Sequence, residues 1–165
     1  MRKVIIIGCP GSGKSTFGRK LRDLTGLPLY YLDMIYHRPD KTDLSKEEFA
    51  ERIEAITSQK EWIIDGCYFD SLYPRIKVCD SIFFFDLPTE VCLRNVMARA
   101  GLKREDFPWI EEANDEKFHN YIRQFNQNFR SKILAMLAEN ADKAIYHFTD
   151  LSETTVFLNN LEKRL

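Results

Sequence analysis

The string Gly8-Cys9-Pro10-Gly11-Ser12-Gly13-Lys14-Ser15 decides how this chain is read. It satisfies G-x-x-x-x-G-K-[ST] in full and sits where that pattern carries meaning. Before it lies the Val/Ile-rich run Lys3–Gly8, which reads as a buried parallel strand. After it, residues 14–24 turn helical, with Phe17, Leu21 and Leu24 on one side. Glycines let such a loop curl until successive N–H groups point at phosphate oxygens, and the helix N-terminus adds its positive end. Residues Gly8, Cys9, Pro10, Gly11, Ser12, Gly13, Lys14, Ser15 and Thr16 are therefore expected to cradle a nucleotide as a P-loop. Lys14 would bridge the β- and γ-phosphates and the Ser15 hydroxyl would ligate Mg²⁺.

Outward from the cradle, short apolar runs alternate with helical stretches. Gly26-Leu27-Pro28 stops the first helix, residues 29–32 read as a second strand, and a polar stretch covers 33–43. Ser45 and Glu48 form a capping box, with Leu44 and Phe49 as its hydrophobic staple, opening a helix whose apolar face is Phe49, Ile53 and Ile56. Residues 62–66 read as a third strand, 80–87 as a fourth, and 88–99 as a helix opened by Pro88. Residues 101–109 are polar and proline-broken, a loop. The longest helix is expected over about 112–140, a fifth strand over Ala144–Phe148 and a closing helix over 152–165. No repeat recurs along the chain. Alternating strands and helices with right-handed crossovers imply a three-layer α/β fold around a parallel sheet, and 165 residues suit a single domain.

Composition narrows the partners. The chain has 24 Lys+Arg against 25 Asp+Glu, a net charge of −1, which weakens duplex DNA as a partner without removing a local patch. The apolar runs at 4–7 and 82–85 fall far short of the roughly 20 residues that cross a bilayer, and no signal peptide is present, so no membrane partner is expected. Cys9, Cys67, Cys79 and Cys92 are widely spaced, with no Cys-x-x-Cys pair. They read as free thiols of a cytoplasmic protein.

Other residues choose the chemistry. The guanine-reading Asn-Lys-x-Asp string is absent, as is an ATP-cassette signature. Asp65, ending the third strand, is placed to hold Mg²⁺ waters, the alternative being a turn former. Phosphoryl transfer needs positive charge around the moving group. Arg94 and Arg99 approach the loop at 101–109, with Lys103 and Arg104 just beyond, and Arg123 and Arg130, seven apart, would share one helix face. Asp33, following the second strand, is the expected base or orienter for an acceptor hydroxyl, the alternative being a turn cap. Tyr36, His37 and Tyr68 would line the acceptor pocket. His119 and His147 have no evident catalytic partner and read as structural.

The cradle, Leu32-Asp33, Asp65-Gly66 and Asp86-Leu87-Pro88 resemble the adenylate kinase-like P-loop kinases. With Trp62-Ile63-Ile64-Asp65-Gly66-Cys67-Tyr68, the layout is similar to bacterial topology modulation proteins over nearly the whole chain. The resemblance implies a five-stranded sheet in the order 2-3-1-4-5, an acceptor-binding segment over about 33–60 and a short lid over about 101–113. It also implies arginines of the lid-entry helix on ATP phosphates, and Asp33 and Arg75 in the acceptor region. The adenylate kinase string Asp-Gly-Phe-Pro-Arg is replaced by Asp65-Gly66-Cys67-Tyr68-Phe69, which argues against AMP, and the absence of Gly-Gly-Gly argues against a shikimate kinase. The expectation is an ATP- and Mg²⁺-dependent kinase acting on a small acceptor such as a nucleoside or nucleotide. The alternative is a nucleotide-dependent regulator that binds DNA or a protein. The sequence leaves the oligomeric state open.

Overall fold

In the computed structural model, which describes residues 1–164, strand β1 (Lys3–Gly8) lies at the centre of the sheet. Its neighbours are β3 (Trp62–Asp65) and β4 (Ser81–Phe85). Outside them lie β2 (Leu29–Tyr31) and β5 (Ala144–Phe148), giving the order β2-β3-β1-β4-β5 with every pair parallel. Val4 to Ile7 are wholly buried because helices cover both faces. On one face Ile5, Ile7, Ile64, Ile82 and Phe84 pack under α3 (Lys46–Thr57), α4 (Leu72–Val78), α5 (Thr89–Arg99), α6 (Glu116–Phe125) and α7 (Ser131–Glu139). On the other, Val4, Ile6, Ile63, Phe83 and Phe85 meet Phe17 and Leu21 of α1 (Lys14–Thr25) and Leu158 of α8 (Leu151–Glu162). The alternation of these two sets along each strand is the period of two that a sheet imposes.

The strand order reverses at β1, so a crevice opens beyond the carboxyl ends of β1, β3 and β4, where open α/β sheets bind ligands. The sheet order and three layers match the expectation. Four local features differ from the sequence reading. Residues Leu32–Tyr36 form a short helix, α2, instead of starting a polar loop. A 3₁₀ turn, Phe69–Ser71, leads into α4, which the sequence reading leaves unassigned. Pro74 fits α4 because it falls in the first turn, where its missing N–H has no partner to lose. The long helix starts at Glu116, capped by Asp115, and a π-helical turn at Asn126–Arg130 separates α6 from α7. The expected closing helix ends at Glu162, and Leu165 lies outside the described residues. No helix among the described residues is long and apolar enough to cross a membrane.

Candidate active site

The cradle takes its shape from close backbone approaches. Gly11 has φ +79°, and a Cβ there would stand 2.3 Å from the carbonyl oxygen of Cys92 in α5. Asn95 of the same helix donates to the Gly11 carbonyl at 2.8 Å, tying loop to helix. Lys14 Nζ curls over the loop and donates to the Cys9 carbonyl at 2.7 Å. Cys9 and Ser12 are buried, and the Ser12 hydroxyl accepts from Lys14 Nζ at 3.5 Å, so any phosphate in the loop would meet them through their backbone. Lys14, Ser15 and Thr16 face a cleft of about 930 Å³ that runs from the cradle to α2 and the segment after α5.

Asp65 lies on the cleft wall at the end of β3, 5% exposed, and its Oδ1 has no hydrogen-bond partner. Burial raises its pKa to about 6, against the opposing pull of the Lys14 charge and the Ser15 hydroxyl. A buried carboxylate oxygen left unmatched beside a hydroxyl is the hard-oxygen donor set that suits Mg²⁺, so the residues fit the ion.

At the α2 end of the cleft, four side chains form one hydrogen-bonded chain. Tyr68 donates its hydroxyl to Asp33 Oδ1 at 2.7 Å, His37 Nε2 lies 3.3 Å from the same hydroxyl, and His37 Nδ1 is 2.5 Å from Asp43 Oδ1. Tyr68 is held at φ +33°, a strained conformation for a non-glycine residue, and burial together with Asp33 pushes its phenol pKa up, so it stays a donor. The loop carrying Tyr68 is pinned from below by Arg75. Its guanidinium donates to the carbonyls of Gly66 at 2.8 Å, Ser71 at 3.1 Å, Cys67 and Tyr68.

The segment between α5 and α6 roofs the cleft through paired charges. Arg99 grips Glu111 with two nitrogens at 2.9 and 3.0 Å, and Arg104 forks onto Asp106 at 3.0 and 2.7 Å while also bonding Glu111. Burial alone would raise the Asp106 pKa. The Arg104 fork outweighs it and holds the carboxyl down at about 2, with the Ser15 hydroxyl adding to the effect. Glu105 accepts from Tyr31 at 2.7 Å, and Phe107 and Trp109 meet the His37 ring edge-on at 5.5 and 5.3 Å.

The structure therefore gathers most of the predicted residues along one cleft: the cradle, Asp33, His37, Asp65, Tyr68 and Arg99. Five others need correction. Arg75 is wholly buried, its donors spent on backbone carbonyls, so it shapes the loop that carries Tyr68 without facing the cleft. Tyr36 stands behind the pocket, its ring packed on Phe49 and Tyr68. Arg94 is exposed on the outer side of α5, and its neighbour Asn95 makes the contact to the cradle. Arg123 bonds Asn120 and Glu116 on its own helix. Arg130 grips Asp86 at 2.8 Å, away from the cleft, because the intervening π turn rotates it off the face that Arg123 occupies. His147 shares Asp86 with it, in a structural role. The residues that sequence reasoning passed over are Asp106, Glu111, Phe107 and Trp109. Their only signal was the alternation of charge and aromatic residues in the segment expected to be a lid.

These features define a three-layer α/β fold of the P-loop NTPase type, a central parallel sheet with a glycine-rich loop after its middle strand. Among solved structures, a shikimate kinase from Acinetobacter baumannii in complex with shikimate is similar at a TM-score of 0.64 and 15% identity, over 99% of this chain and 92% of that one. A shikimate kinase from Bacteroides thetaiotaomicron is similar at 0.58 and 15% identity, over 98% and 96%. At that identity the likeness is one of fold. No protein-family profile and no curated protein sequence matches the chain, so the resemblance to topology modulation proteins gains no support here.

Proposed function

We propose that this protein is an ATP- and Mg²⁺-dependent kinase that passes the γ-phosphoryl group to a hydroxyl of a small acceptor, such as a nucleoside or nucleotide. The observation that carries this reading is the joining of the P-loop and the Asp33 carboxylate along one cleft. Tyr68 occupies Oδ1 of Asp33, which leaves Oδ2 for the acceptor hydroxyl. That hydroxyl oxygen bonds to the γ-phosphorus as the bond to the β-phosphate oxygen breaks, and its proton passes to Asp33. Lys14 leaves the Cys9 carbonyl for the phosphates, and Arg99, held at the cleft by Glu111, adds positive charge on the lid side. Mg²⁺ would be held by the Ser15 hydroxyl and Asp65 and would neutralise charge between the β- and γ-phosphates. Four unpaired, buried cysteines support placing the protein in the reducing cytoplasm. Nothing in the fold or in the similar structures favours the alternative regulatory role.

The test is ADP release from Mg-ATP against a broad panel of nucleosides, nucleotides, sugars and other small alcohols. An acceptor that stimulates release in the wild type and fails to do so in Asp33→Asn supports the reading. Retained ATP binding with no stimulation by any acceptor would refute it.

A further inference from the structure

We infer that the acceptor is an uncharged alcohol bearing a planar ring, of the nucleoside kind, and that the site rejects phosphate monoesters and carboxylic acids. The inference rests on the kinase reading above and concerns what the acceptor end of the same cleft selects.

An anionic acceptor needs a fixed cation, best supplied as a guanidinium fork. The arginines that line the cleft or border this end of it are each already committed. Arg19 donates to the Thr16 hydroxyl at 3.3 Å and lies 3.9 Å from Glu105. Arg38 donates to the Asp43 carbonyl at 3.1 Å and to the Glu48 carboxylate at 3.3 Å. Arg75 is buried against backbone carbonyls. Arg99 and Arg104 share Glu111, and Arg104 also holds Asp106. Lys41 lines the cleft but faces Glu112 at 3.6 Å. Among the described residues, Lys103 is the one lysine or arginine lining the cleft with neither a hydrogen bond nor an ion pair, and it is an exposed ammonium on the lid.

The carboxylates argue in the same direction. Asp33 must face the acceptor to serve its hydroxyl, and Glu112 and Asp115 also line the cleft. An anionic group on the acceptor would meet these like charges without a fixed counter-ion, and such juxtaposition disfavours binding. Aromatic side chains also line the cleft. Phe107 and Trp109 stand 4.7 Å apart against His37, and Tyr121 and Phe118 also line the cleft. Such side chains favour a flat ring in stacked or edge-on contact.

The experiment measures ADP release from Mg-ATP by the wild-type protein with the common ribo- and deoxyribonucleosides, their 5′-monophosphates, and shikimate as a ring hydroxy-acid. At least one nucleoside should support turnover, with kcat/KM about 100-fold or more above its own monophosphate and above shikimate. Trp109→Ala should raise the KM for that nucleoside about 10- to 100-fold with a smaller change in kcat, as loss of a stacking surface does. Glu112→Gln, which releases Lys41, should narrow the nucleoside-to-monophosphate ratio. Preference for a monophosphate or for shikimate overturns the inference and leaves the kinase reading standing. If no probe stimulates ADP release although a thermal shift shows ATP bound, the nucleoside class is refuted, and the broader alcohol panel above then judges the kinase reading separately.

Discussion

Replacing Asp65 with asparagine removes a charge that the fold buries with one oxygen unmatched. In the unfolded chain the carboxyl ionises near 3.8. In the native protein, burial raises it to about 6, even with Lys14 and Ser15 pulling the other way. The folded state thus holds this proton more tightly. Between those two values it carries more bound proton than the unfolded state, and stability falls as pH rises. Each tenfold change in acidity is worth about 1.36 kcal/mol, so the rise from 3.8 to about 6 costs ~3 kcal/mol once pH exceeds 6. Asp65→Asn abolishes that ionisation. Its stability relative to wild type should therefore improve by ~2 kcal/mol between about pH 4 and pH 7.5, the rest of the cost accruing below pH 4. An amide that leaves its own polar atoms unmet adds an offset of ~1–3 kcal/mol, but that offset does not change with pH. Urea unfolding of both proteins across this pH range measures the difference directly, and the other carboxylates cancel from it. Mg-ATP should stabilise the wild type at the upper end and do so far less for the variant. A stability difference that stays flat with pH, or runs the other way, would refute the account of Asp65 as a carboxylate kept destabilised for a metal.

Tyr68→Phe removes the donor to Asp33, a hydrogen bond to a charged group worth ~1.5–3 kcal/mol, so kcat with the best acceptor should fall about 10- to 100-fold while ATP affinity measured by calorimetry holds. Arg75→Met strands the carbonyls of Gly66, Cys67, Tyr68 and Ser71, and should cost at least ~3 kcal/mol in urea unfolding, while an exposed-site control such as Arg94→Met stays within about 0.5 kcal/mol. Gly11→Ala forces a methyl to 2.3 Å from the Cys92 carbonyl at φ +79°. Strain of ~1–3 kcal/mol should lower Tm by about 2–4 °C per kcal/mol, and ATP binding should be lost as the loop shifts. Unchanged Tm and affinity in that variant would contradict the tight seating of the loop on α5.

The fold was legible because its deciding elements are long and unambiguous. Val4 to Ile7 and Ile82 to Phe85 are continuous apolar runs, as strands buried on both faces must be, and the loop at residues 8–15 matches G-x-x-x-x-G-K-[ST] in full between strand and helix. Leu32–Tyr36 and Leu72–Val78 were not legible, since one and two helical turns give no periodicity to count. The phosphate end of the site was readable because the backbone makes it. The charge clamps were not, because identity does not fix direction. Arg94 and Asn95 are adjacent, yet only Asn95 turns toward the cradle. The seven-residue spacing of Arg123 and Arg130 assumed an unbroken α-helix, and the π turn between α6 and α7 removes that phase relation. The ion pairs of the segment after α5 join Arg99 to Glu111, twelve residues apart across a loop, a pairing that no local pattern encodes.

The seating of Gly11 against α5 also sets an order of events in synthesis. The phosphate loop is among the first segments made, yet β1 has no partner until β3 and then β4 emerge, and the loop has no support until Cys92 and Asn95 arrive about eighty residues later. A nascent chain stalled before α5 would carry the entire nucleotide-binding signature and still be unable to hold a nucleotide. Until the ribosome has released β3, the central strand is an unpaired apolar ribbon, the stage at which this chain most needs a chaperone's shelter.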